Sequence, residues 1–85
     1  MATTKEDLGR WFDVGVQEGA THMIVVCDSF SYDDYPVYVK PSENVRAKYQ
    51  EYLDGKHSMQ RVMEIYSLKK PKGPQFEQRR AFEFD

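Results

Sequence analysis

Five consecutive apolar residues, Met23-Ile24-Val25-Val26-Cys27, constrain this chain more than any other feature. The run is rich in β-branched side chains and ends at Asp28, which reads as a strand. Successive side chains of a strand point to opposite faces, and here both sets are apolar. Such a strand belongs in the middle of a sheet, with cover from helices on one face and from helices or a second subunit on the other. A chain of 85 residues has room for one domain and one thin core.

The flanking segments supply the partners. Thr3-Thr4-Lys5-Glu6 fits a capping box, with Thr3 as cap and Glu6 reaching back. Leu8, Trp11, Phe12, Gly15 and Val16 then recur at helical spacing, and Gly19 stops the helix, which spans residues 4–18. The strand built on the apolar run covers residues 22–30. A second strand covers 35–40, and Pro36, which cannot donate to a ladder, assigns it to an edge. The short link between them suits an antiparallel hairpin. Ser42 or Asn44 caps a second helix that Gly55 ends, and residues 59–68 read as a third strand. Lys69-Lys70-Pro71-Lys72-Gly73-Pro74 breaks regular structure.

These elements predict an α+β fold of order α-β-β-α-β, with a three-stranded sheet in the order 2-1-3. Both helices are expected on one face, as a two-layer sandwich. Residues 1–68 form the domain, and residues 69–85 a C-terminal arm or short fourth strand. The second sheet face is then open, which invites a homodimer or cover by Phe82 and Phe84.

Charge and cysteine content narrow the classes. Residues 1–68 carry 7 Lys/Arg against 11 Asp/Glu, and residues 69–85 carry 5 against 3, for a net charge of −2. An acidic body argues against a general nucleic-acid binder. Cys27 is the only cysteine, so no intrachain disulfide forms, and a reducing cytoplasm fits. MATTKEDLGRWF lacks a signal-peptide apolar core, and no run reaches membrane-spanning length. No Gly-rich phosphate loop, GxSxG or HExxH occurs, and no cofactor or metal is implied.

Three constellations remain. The hairpin loop gathers Asp28, Tyr32, Asp33, Asp34 and Tyr35. The spacing does not match a calcium loop, and Asp and Ser at such turns also bond nearby backbone amides. As a recognition surface, Tyr32 and Tyr35 supply rigid contact area, while Asp33 and Asp34 steer a basic partner. Lys40 is the expected neighbour of Asp28. Cys27, with Asp28 and with His57 from the turn before the third strand, could form a thiol site, although a buried structural Cys is the default. The tail mixes Arg79 and Arg80 with Phe82 and Phe84, which can contact the acidic body or nucleic acid.

EGATHMIVVCDSF, DDYPVYV, MQRVMEIYSL and RRAFEF together resemble a group of small, mostly uncharacterised proteins encoded by phages, prophages and bacteria. The resemblance covers most of the chain and implies no activity. It implies a context, that of accessory proteins that bind and redirect or inhibit a host protein. The leading expectation is therefore an acidic protein-interaction module that modulates a basic or nucleic-acid-binding host protein. The alternative is a nucleotide-like ligand binder with a site at a homodimer interface, using Trp11, Tyr38, Tyr66 and the basic tail. An enzyme centred on Cys27 ranks third.

Overall fold

The first helix, α1 (Lys5–Gln17), begins where Thr4 and Asp7 cap each other. The Asp7 N–H donates to Thr4 Oγ1 and the Thr4 N–H to Asp7 Oδ2, both at 3.2 Å. This is a computed structural model that describes residues 4–28, 31, 33–53, 60–77 and 81–84. The capping register lies one residue beyond the expected Thr3/Glu6 pair. Both registers satisfy the pattern, but the observed one sets Asp7 a turn before Arg10, whose guanidinium it meets at 2.7 Å. The capping bonds and Arg10 hold the Asp7 carboxyl below its usual range. At the other end, Gly19 adopts φ +77°, and the N–H groups of Gly19 and Ala20 bond to Val16 O and Gly15 O at 3.1 and 3.0 Å. That is the Schellman arrangement, and glycine takes its left-handed position without a Cβ penalty.

The sheet contains β1 (His22–Asp28), β2 (Asp34–Val39) and β3 (Gln60–Ser67), in the order β2-β1-β3. Both neighbours run antiparallel to β1. The expected strand order and α-β-β-α-β succession are present. The central strand is as dry as its composition demands, with Met23, Ile24, Val25 and Val26 each at most 1% exposed. Asp28 N–H donates to Asp33 O at 2.9 Å. With the register of the pair, this turns the backbone groups of Pro36 outward, where its missing N–H costs no ladder bond.

The helices do not share a face. Met23 and Val25 pack with Phe12, Tyr66 and Leu68 under α1, joined by Leu8, Trp11 and Phe76. Ile24 and Val26 pack with Val39, Val62 and Ile65 under the second helix, α2 (Val45–Leu53), joined by Tyr49, Tyr52 and Phe84. The result is a three-layer arrangement instead of a two-layer one, and it corrects the expectation of an open second face. The physical reason is the apolar run itself. Both faces of β1 demand cover, and one helix on each side meets that demand within a single chain. Phe84 contributes to this cover, as the sequence suggested for the tail.

One irregularity makes the α2 face work. The β1–β3 register shifts between Val25 and Val26, so that Val25 faces Glu64 while Val26 faces Val62. Met63 is the extra residue. Val62 and Ile65 are three positions apart and would face opposite ways in a regular strand, yet the bulge brings both into the α2 cluster.

The chain after β3 contains a third helix, α3 (Lys72–Glu77), where the sequence suggested only breakers. Pro74 sits in its first turn, where an N–H has no helical partner to lose. Gln75, 3% exposed, aims its amide at β3. Its Oε1 accepts from Ser67 N–H at 2.7 Å, and its Nε2 donates to Ser67 O at 2.9 Å. Further along, Ile65 N–H donates to Ala81 O at 2.8 Å and Glu83 N–H to Ile65 O at 3.0 Å. A side chain and a short stretch of tail thus satisfy an edge that would otherwise be free to pair with other chains. Asn44, one of the two caps expected for α2, accepts from Ala47 N–H at 3.1 Å.

Candidate functional site

At the hairpin end of the sheet, the register sets Asp34, Cys27 and Arg61 side by side across the three strands. Asp28 lies beside Gln60 in the next row. Ser31 N–H donates to Asp28 Oδ1 at 3.4 Å, a local turn bond of the kind that aspartate supplies in hairpins. Asp33 is exposed, and Asp34 is half-buried beside Cys27. Tyr32 lies outside the described residues. Among the described residues no cluster of three His, Cys, Asp or Glu could hold a metal ion.

Tyr35 departs from the expected recognition surface. It pairs with Val26, so its ring lies on the α2 face and joins the cluster that includes Tyr52. Its hydroxyl accepts from the Gln60 side-chain amide. Burial, then the neighbouring Tyr52 and Asp28, push the phenol above its ordinary range. Tyr35 therefore anchors the hairpin to the body, and Asp33 and Asp34 are left to carry the polar tip. The parity of a strand decides between these roles, and a shift of one residue would have reversed it.

Cys27 is buried, and its thiol donates to Asp28 O at 3.7 Å. Burial, then Asp34, push its pKa up, and Arg61 only partly opposes them. An activated thiolate needs the opposite environment. His57 lies outside the described residues. Lys40 is not the neighbour of Asp28. It follows Val39, which pairs with His22 at the far end of β1.

The three aromatic residues of the ligand-binding alternative, Trp11, Tyr38 and Tyr66, pack into the core. Tyr66 is 1% exposed, and burial, then Glu64, raise its pKa. Tyr38 donates its hydroxyl to Trp11 O at 2.7 Å, tying β2 to α1. All three aromatic side chains belong to the core under α1. In the tail, Phe84 packs on Tyr49 with ring centroids 5.3 Å apart, and Arg46 lies 4.3 Å above its centroid. Phe82 meets the same Tyr49 at 6.0 Å. Both phenylalanines dock on their own chain, and Arg79 and Arg80 lie outside the described residues.

Two concavities were not foreseen. A groove of about 690 Å³ runs between α1 and α3 over Gly9, Gly73 and Phe76, and Lys72 and Asp13, both on its lining, meet at 2.9 Å. A smaller one, about 320 Å³, opens where β1 starts, between the N-terminal end of α2 and Phe84. Its lining comes from four separated parts of the sequence, so no local pattern announces it. No helix among the described residues is long and apolar enough to cross a membrane. No protein-family model, no curated protein and no solved structure matches the chain.

Proposed function

We propose that this chain is a small protein-binding module whose hairpin end meets a basic surface on its partner. The observation that supports this reading is the gathering of Asp28, Asp33 and Asp34 at one end of the sheet, with Asp33 exposed at the tip. Carboxylates so placed speed the encounter with a cationic partner and disfavour acidic ones. The surface is narrower than the sequence suggested, because Tyr35 is committed to the α2 face. The resemblance to small phage-encoded proteins supports a modulator or inhibitor of a host protein, and the acidic tip suits a partner that itself binds nucleic acid.

The test compares immobilised wild type with Asp33→Lys, a substitution at an exposed position that leaves the core intact. Wild type retains a basic partner from host lysate at low salt and releases it as salt rises, since exposed charges are screened over about 8–10 Å at physiological ionic strength. Asp33→Lys loses that partner. Equal capture by the two proteins sinks the proposal.

A further inference from the structure

The smaller cavity lies at the opposite end of the sheet from the acidic hairpin, and its chemistry is of the opposite sign. His22, Asn44, Arg46, Lys69 and Phe84 line it, together with Glu43. The charge of Glu43 is already engaged. Its Oε2 meets Lys48 Nζ at 2.7 Å, and its Oε1 accepts from Lys40 N–H at 3.0 Å. The Lys48 contact, then the Lys40 N–H, hold the Glu43 carboxyl below its usual range, so it stays ionised and matched to Lys48. Arg46 and Lys69 have no carboxylate partner among the described residues. Arg46 instead lies over Phe84, with its guanidinium carbon 4.3 Å from the ring centroid. That contact fixes the position of a charge that would otherwise swing freely.

The backbone adds to the field. Asn44 Oδ1 takes the N–H of Ala47, and the helical ladder of α2 begins with Lys48 N–H on Asn44 O at 3.0 Å. The N–H groups of Val45 and Arg46 belong to the first turn, where no intrahelical acceptor exists. The cavity thus combines two cations without a carboxylate partner among the described residues, one of them set over an aromatic ring, with a histidine. Its volume of about 320 Å³ is at the small end of the range for ligand pockets, roughly 300–1,000 Å³.

We propose that this cavity binds the phosphate of a small phosphomonoester, with Arg46 and Lys69 as its charged ligands and Phe84 beside the group that the phosphate carries. A dianion satisfies two cations where a carboxylate satisfies one. The planar fork of arginine can donate to two oxygens of a tetrahedral phosphate at once. The ligand is sugar-phosphate or mononucleotide sized, and nothing in this assignment depends on the hairpin.

The experiment is a titration of the isotopically labelled full chain, read from amide shifts at constant ionic strength, with inorganic phosphate, ribose 5-phosphate and AMP as separate probes. Saturable shifts centred on His22, Val45, Arg46 and Lys69 are expected. Tighter binding of AMP or ribose 5-phosphate than of inorganic phosphate identifies an organic phosphomonoester; equal binding assigns the site to phosphate alone. Lys69→Gln, which breaks no other contact among the described residues, weakens binding about tenfold or more, as does Arg46→Gln. Arg10→Gln, in the α1/α3 groove, leaves it unchanged. No saturable shifts with any probe, or shifts that Lys69→Gln and Arg46→Gln leave intact, overturn the assignment.

Discussion

Replacing Gln75 with Met keeps the side-chain length and apolar volume of the residue and removes all of its side-chain hydrogen bonds. The amide accepts from Ser67 N–H and donates to Ser67 O, Pro71 O and Lys70 O at 2.7, 2.9, 3.0 and 3.3 Å. Ser67 is fully buried, so its backbone groups have no water to turn to. A buried polar group left without a partner costs about 1–3 kcal/mol, and two such groups on Ser67 suggest a loss of about 3 kcal/mol. A chain of this length has a total stability of about 4–13 kcal/mol, so the loss is a large fraction of the whole. Urea unfolding followed by far-UV circular dichroism measures it, and the melting temperature falls by about 12–24 °C. Amide exchange supplies a local readout, because the Ser67 N–H loses its protection before the β1 amides do. Gln75→Glu refines the argument. At neutral pH a carboxylate still accepts from Ser67 N–H but cannot donate to the carbonyls. Burial raises its folded-state pKa, so this variant regains stability as pH falls and its acid form becomes a donor. A cost below about 1 kcal/mol for Gln75→Met would mean that solvent reaches Ser67, and the reasoning from burial would be wrong.

Gly15→Ala places a Cβ 2.7 Å from Leu68 Cδ1 and 2.8 Å from Tyr38 Cε1. The ring cannot swing away freely because its hydroxyl is held by Trp11 O. Overpacking of about 1–3 kcal/mol outweighs a gain of about 1 kcal/mol in helix propensity, so chemical denaturation detects a net loss; a gain means that Leu68 and Tyr38 yield. Cys27 reacts with a thiol reagent at least about a hundredfold more slowly in the folded protein than in denaturant, since thiolate formation waits on opening; equal rates refute its burial. Its raised pKa also has a linkage sign. The stability it contributes is complete below the unfolded thiol's value, about 8.5, and is lost as pH rises beyond it, a slope absent from Cys27→Ala.

The sheet was legible because one run of residues could sit nowhere but in its centre. Pro36 marked an edge, and Gly19 and Asn44 marked helix ends, each through its own backbone chemistry. The bulge at Met63 was not legible. The pattern Val62-Met63-Glu64-Ile65 reads as an imperfect strand until α2 requires both Val62 and Ile65 on one side. Gln75 carried no signal either, since nothing local distinguishes a surface glutamine from one that replaces a strand. The carboxylates of the hairpin were visible in the chain, but the inward turn of Tyr35 depended on register. The cavity beside Phe84 was invisible because its lining residues meet only after the tail has docked.

By itself, then, the chain determined what the segments up to β3 become and which strand lies innermost, because caps, periodicity and prolines act over a few residues. Only the tertiary structure decided which side of the sheet each helix covers, where the tail docks and which polar groups face one another. Those outcomes follow from closing both faces of one apolar strand at once, a condition that no short stretch of sequence contains.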